Sequence, residues 1–214
     1  MSIVLTAQKI EEYGVLPIVK LENIHHAKFL AKAFQKAGMA VAEVVFRTSG
    51  ADKVIAGMKD AYPEMAIGAG TILTTRQIDT AILAGAEFML SPGTDAELID
   101  DCLQKDVLPI PGCATASDVQ LCVKHGISLV KLFPAGLLGG TDVINALSAP
   151  FPGIKFIPTN GVGFRTLSDY AANKHVAACA GIYPCTDDLI ISENWDEISR
   201  QCEKALEIVA AVRK

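Results

Sequence analysis

Short apolar, β-branched runs alternate with amphipathic stretches along the whole 214-residue chain. The runs at 15–20, 41–47, 65–70, 87–91, 107–111, 128–133, 154–158 and 176–181 read as strands. Each is a brief apolar segment bounded by Gly, Pro or polar residues, which suits a strand buried on both faces of a parallel sheet. Between them, 24–37, 52–62, 75–84, 96–105, 117–125, 141–147 and 164–173 carry helical periodicity, and 7–13 and 195–212 add a helix at either end. Gly38, Gly85 and Gly126 stand where a left-handed residue would end a helix and release the chain into the next strand. Strand starts recur at intervals of about 20 to 26 residues, the length of one βα unit with its loops. The pattern predicts one α/β domain over residues 1–214, a (β/α)8 TIM barrel with an N-terminal helix. An open doubly wound sheet would show fewer strands and a nucleotide fingerprint.

Composition narrows the function classes. The chain is 50% hydrophobic and 20% charged, with positive mean hydropathy, which excludes a disordered protein. Nineteen Lys and Arg against 24 Asp and Glu give a net charge of −5 without a basic cluster, so no nucleic-acid partner is expected. Apolar stretches are interrupted well short of the roughly 20 residues a membrane span requires, and no membrane association is expected. The first residues carry neither a basic segment nor an apolar core of signal-peptide type, which predicts a cytoplasmic protein. The six cysteines form no Cys-x-x-Cys pair and the four histidines show no ligand spacing beside them. Reduced, buried thiols and no metal site are the expectation.

In a barrel of this kind the active site lies at the C-terminal ends of the strands, so polar residues there carry most weight. In the second run, period two puts Glu43, Val45 and Arg47 on one face. A carboxylate among Val and Ala needs a partner, and Arg47 could supply a purely structural one. In the sixth run, Lys131 stands alone among Leu129, Val130, Leu132 and Phe133. Burial destabilises an ammonium ion and favours the free amine, which can condense with a ketone. A lysine reaching solvent by its flexible stem, or pairing with Glu43, would explain the same residue. The third run ends Gly68-Ala69-Gly70-Thr71, small residues that would let a ligand approach the backbone, with a hydroxyl at the rim. The fourth ends in the tight turn Ser91-Pro92-Gly93. The seventh and eighth end in 158–163, with Asn160 and Gly161, and in 180–183, with Ile182. Those two loops are where barrel enzymes most often cradle phosphate, here with help from a helix starting at Phe164.

Taken in order, these segments resemble the class I aldolases that cleave 2-keto-3-deoxy-6-phosphogluconate (KDPG) and 4-hydroxy-2-oxoglutarate (KHG). Glu-Val-Val-Phe-Arg-Thr at 43–48 is similar to that family's Glu-Val-Thr-Leu-Arg-Thr, and Gly-Ala-Gly-Thr-Ile-Leu at 68–73 to its Gly-Ala-Gly-Thr-Val-Leu. Ser91-Pro92-Gly93, Pro111-Gly112 with Ala114-Thr115, and Lys131-Leu132-Phe133-Pro134-Ala135 follow in the family's order and spacing. The resemblance covers nearly the whole chain. It implies a metal-independent lyase without a cofactor, in which Lys131 forms a Schiff base and Glu43 transfers protons. Arg47 and Thr71 would hold the carboxylate of pyruvate, with Phe133 and Pro92 walling the site. It also implies a homotrimer, a 2-keto-4-hydroxy acid as substrate, and pyruvate plus an aldehyde as products.

Two departures fall in the phosphate cradle. The family's Thr-Gly-Gly is Thr159-Asn160-Gly161 here, and its Gly-Gly-Ser-Trp is Ala180-Gly181-Ile182-Tyr183. Asn160 adds a side chain where the backbone should approach the ligand, and Ile182 replaces a hydroxyl donor by an apolar group. The expectation is weakened discrimination in favour of a 6-phosphate. Two other readings stay open at this point: a Schiff-base lyase acting on another 2-keto acid, and a catalytically silent barrel that binds a keto acid or phosphate.

Overall fold

The computed structural model describes residues 3–213; residues 1, 2 and 214 of the expected domain lie outside them. Helix α1 (Ile3–Tyr13) leads into β1 (Val15–Val19), a 3-10 turn (Ile24–His26) and α2 (Ala27–Lys36). Strand β2 (Val41–Val45), α3 (Ala51–Ala61), β3 (Ala66–Gly70), α4 (Thr75–Leu83), β4 (Phe88–Leu90) and α5 (Ala96–Gln104) follow. Next come β5 (Leu108–Ile110), β6 (Gly112–Cys113), α6 (Ala116–Lys124), β7 (Leu129–Leu132), α7 (Thr141–Ser148), β8 (Lys155–Pro158), α8 (Leu167–Ala172) and β9 (Cys179–Gly181). Helices α9 (Asp187–Ile191) and α10 (Trp195–Val212) close the chain.

All named pairings are parallel, and the fold is an α/β architecture built on a curled parallel sheet. One six-stranded sheet runs β5-β4-β3-β2-β1-β9 and one three-stranded sheet runs β6-β7-β8. Isolated bridges Phe156–Val176 and Thr159–Ala180 join the β8 segment to the β9 segment. The fifth predicted strand, 107–111, stands as β5, and a further segment, β6, follows beyond Pro111, which has no N–H to give to a ladder. Nine strand segments therefore stand, among the described residues, where the sequence predicts eight.

Every residue of β1, β2 and β3 is buried, the mark of a sheet covered on both sides. Helices cover the outer side with one face each. In α2 that face is Ala27, Leu30, Ala31 and Phe34, at the spacing of successive helical turns. Several βα turns end in a side chain that satisfies the first free N–H groups of the next helix. Thr74 and Gln77 make a capping box on α4, Asp95 accepts from Glu97 N–H and Leu98 N–H on α5, and Thr115 and Asp118 box α6. The helices end as expected, with Gly38, Gly85 and Gly126 at positive φ. Helix α10 is pinned at its end by Arg213, whose guanidinium donates to the carbonyls of Glu11, Ala171 and Val176. All six cysteines are free and buried. No helix among the described residues is long and apolar enough to cross a membrane.

Candidate active site

The register of the sheet sets the chemistry. Ile18 of β1 pairs with Glu43 of β2, and Glu43 with Gly68 of β3, while Lys131 of β7 lies between Gly112 of β6 and Ile157 of β8. Glu43 and Lys131 thus come from well-separated strands and meet inside the sheet's curve, where Lys131 Nζ donates to Glu43 Oε1 at 3.0 Å. Glu43 is fully buried and Lys131 only 6% exposed. Two opposite charges this deep are tolerable only as partners, since each alone would bear an uncompensated desolvation cost. Glu43 pairs with Lys131 and not with Arg47, so the structural Glu43–Arg47 pairing is not formed. The second carboxylate oxygen, Glu43 Oε2, is buried without a donor. An unmet acceptor at that depth is a place for a ligand proton.

A cavity of about 200 Å³ opens above this pair. Its polar lining is Glu43, Lys131, Arg47, Thr71 and Thr159, and its apolar wall is Ile18, Val45, Pro92 and Phe133. Six residues proposed from sequence therefore share one cavity: Glu43, Arg47, Thr71, Pro92, Lys131 and Phe133. The Lys131 ammonium lies 5.9 Å from the centre of the Phe133 ring, within the range of a cation–π contact. Arg47 sits in the turn after β2, because the strand stops at Val45, two residues short of the predicted end. It forms no salt bridge with any described residue and faces the cavity with its charge available. A fork of N–H donors on a free guanidinium matches a carboxylate.

Thr71 adopts φ 58°, a left-handed conformation that is strained for a β-branched residue. The neighbouring backbone enforces it, with Phe46 N–H bonded to the Gly70 carbonyl at 2.7 Å and Ile72 N–H to the Leu90 carbonyl at 3.0 Å. Pro92 is held by a close stacking of backbones, since a Cβ on Gly112 would come within 2.3 Å of the Pro92 carbonyl oxygen. The glycines of β3 do not open a path for ligand, contrary to the sequence reading. A Cβ at Gly68 would meet the Phe88 ring at 2.1 Å, and one at Gly70 would meet Glu43 Oε1 at 2.1 Å. Their space is taken by other side chains of the protein.

Asn160, Gly161 and Ile182 do not line this cavity; they lie on the rim made by the loops after β8 and β9. Asn160 is exposed with φ 73°, and its carbonyl accepts from Gly136 N–H at 2.9 Å. Gly161 is bare because it abuts another glycine, a Cβ there falling 2.8 Å from the Gly136 Cα. Ile182 is 50% exposed. The expected helix start at Phe164 is absent, since α8 begins only at Leu167, and Gly163 N–H is already bonded to Thr166 Oγ1. The rim is fastened instead through the Phe164 ring, edge-on to Tyr183 with centres 5.2 Å apart and beneath the Lys204 ammonium.

Ile18 and Thr159 line the cavity without being among the candidate residues of the sequence, and Val45 lines it on the face it shares with Glu43 and Arg47. Thr159, one residue past β8, carried the same strand-end signal as Thr71.

Known proteins resemble this chain over nearly its whole length. The chain is 36% identical to the 2-dehydro-3-deoxy-phosphogluconate aldolase of Treponema pallidum over 205 residues, covering 96% of this chain and 98% of that one. The solved structure of KDPG aldolase from Legionella pneumophila superposes with a TM-score of 0.90 at 30% identity, over 94% of this chain and 97% of the other. That structure holds pyruvate captured as a covalent carbinolamine intermediate. The Zymomonas mobilis 2-keto-3-deoxy-6-phosphogluconate aldolase, solved with 3-phosphoglycerate, gives a TM-score of 0.85 at 29% identity over 95% of this chain and 94% of the other. Residues 6–201 match the family described as "Aldolase: KDPG and KHG aldolase", and the chain belongs to that family.

Proposed function

We propose that this protein is a class I aldolase that cleaves a 2-keto-4-hydroxy acid to pyruvate and an aldehyde through a Schiff base on Lys131. The observation that carries the reading is the buried Lys131–Glu43 pair at 3.0 Å beneath a cavity that also holds the free Arg47 guanidinium. Passing the ammonium proton to Glu43 leaves a neutral amine and a neutral acid. The amine adds to the C2 carbonyl to give a carbinolamine, and Glu43 returns its proton to the departing hydroxyl, so that water leaves, a protonated imine forms and Glu43 is again a carboxylate. A carboxylate at Glu43 then takes the proton of the 4-hydroxyl group while the C3–C4 bond breaks. The aldehyde departs, and the bonding pair flows into the imine to leave an enamine. Returning that proton to C3 gives the pyruvate imine, and water releases pyruvate and the free lysine. The protonated imine is the electron sink, so the sequence of steps closes without a metal. Arg47 and Thr71 are assigned to the substrate carboxylate, with Phe133 and Pro92 as walls.

The same reading takes the fold as a single-domain (β/α)8 barrel, with β5 and β6 counted as one strand broken at Pro111 and the two β8–β9 bridges as its seam. It takes the assembly as a homotrimer in the cytoplasm, supported by exposed Leu137 and Leu138 on the loop after β7, which offer apolar surface to a second copy. It takes Asn160, Gly161 and Ile182 as the distal subsite, poorer in donors than a phosphate needs, so that an unphosphorylated substrate of the 4-hydroxy-2-oxoglutarate type is favoured.

Trapping decides the central point. Incubation with pyruvate and borohydride is expected to add one three-carbon adduct, mapped to Lys131 by peptide mass spectrometry, with turnover insensitive to chelators. An adduct at Lys20, or none, overturns the assignment.

A further inference from the structure

The inward side of β3 carries no side chain at two successive inward positions, Gly68 and Gly70, and two side chains from neighbouring strands fill the slot. Phe88 of β4 takes the lower position and Glu43 of β2 the upper one. The upper fit leaves no slack, since a Cβ on Gly70 would stand 2.1 Å from Glu43 Oε1, 2.6 Å from its Cγ and 2.7 Å from its Cδ. The carboxylate therefore occupies the volume that any other residue at position 70 would claim. Its hydrogen bonding cannot hold it there alone. One oxygen meets Lys131 and the other meets no donor. During the proposed reaction the first contact is itself reduced, because the lysine nitrogen keeps one N–H of three when it becomes a protonated imine. The shape of the slot then carries more of the work of keeping the carboxylate in place.

We infer that Gly70 is a positioning residue for the aldol cleavage, holding the Glu43 carboxylate against the reacting lysine by the absence of its own side chain. The inference rests on Glu43 as the proton carrier. Gly70 is otherwise unexceptional: its φ is not positive, so backbone conformation does not require glycine there. Steric clearance for Glu43 is the reason the position must be bare.

The test is a double-mutant cycle of Gly70→Ala and Glu43→Ala, read by thermal melting and by turnover across pH. Gly70→Ala alone is expected to lower the melting temperature by several degrees and turnover by about 10² to 10⁴, the scale of a lost acid/base group. Its residual activity should follow the pH profile of Glu43→Gln instead of a scaled copy of the native one. In the Glu43→Ala background the space is vacant, so adding Gly70→Ala should change melting by no more than a degree or two and turnover by no more than about twofold. Should Gly70→Ala fail to fold, recovery of folding in the double variant supports the slot. Equal destabilisation in both backgrounds, failure of both to fold, or a native pH profile in Gly70→Ala overturns it. The two ideas fail separately: native turnover in Glu43→Gln removes Glu43 from catalysis, whereas the melting cycle measures the slot whatever Glu43 does chemically.

Discussion

The floor of the cavity and the rim made by the loops after β8 and β9 are built on different physical terms. On the floor, Glu43 and Lys131 are buried, locked to strands in register and dependent on each other for charge compensation. On the rim, Asn160 and Ile182 are exposed and held by loop backbone, with Gly161 fitted against Gly136. A change on the floor leaves a buried charge without a partner or a clash without an outlet. A change on the rim meets water. On the proposed function, the reaction is tied to the sheet and the choice of aldehyde is left to residues that can vary at little cost to folding.

The contrast can be tested from its strongest point downward. Glu43→Gln keeps the size of the side chain and removes its titration, so steady-state pyruvate release should fall by about 10² to 10⁴ in a protein that still melts cooperatively. Near-native release would reduce the floor pair to a structural ion pair. On the rim, Ile182→Ser should raise kcat/KM for the 6-phosphate substrate roughly tenfold or more, the worth of one hydrogen bond to a charged group, and leave 4-hydroxy-2-oxoglutarate unaffected. A native enzyme already preferring the phosphorylated substrate at least a hundredfold would mean that rim backbone donors suffice.

The smallest effect belongs to a helix cap outside the cavity lining. At the start of α6, burial pushes the Asp118 carboxyl up, but the Ala114 and Thr115 N–H groups and the Thr115 hydroxyl outweigh it and hold the group below its ordinary value. A folded-state value below the unfolded one gives stability that is complete above the ordinary carboxylate range and fades as pH falls through the folded value. Asp118→Ala should cost about 1 kcal/mol in urea melts at neutral pH, with turnover unchanged. The gap to the native protein should narrow below about pH 4. A gap that widens in acid contradicts the cap as the cause.

The floor was legible in the sequence and the rim was not, for reasons visible in particular residues. Lys131 and Glu43 announce themselves because a charged residue inside an apolar strand has few physical excuses, and the strand's period fixes which way it faces. Arg47 was read as a strand residue and proved to sit in a turn, yet it reaches the same cavity, because a long side chain forgives a displaced backbone. Gly68 and Gly70 were misread, since a bare position signals only that something comes close, and the sequence cannot say whether that is a ligand or Phe88 and Glu43. The helix expected from Phe164 failed to begin there because Thr166 satisfies Gly163 N–H and keeps 163–166 in a turn, a local competition that periodicity does not register. Helix α9 was not foreseen, being five residues long and too short to display a period.

The size of the cavity bears on inhibition. At about 200 Å³ it is smaller than the roughly 300 to 1,000 Å³ that encloses a drug-sized compound, and it suits a fragment the size of pyruvate. Even the best small fragments gain at most about 1.5 kcal/mol per heavy atom, so a compound of about six heavy atoms is capped near 9 kcal/mol, a dissociation constant somewhat below micromolar. Tighter inhibitors of this enzyme have two routes. One is an electrophile that takes the bond Lys131 would give the substrate; the other is a tail grown out of the cavity past Phe133, which is itself partly exposed.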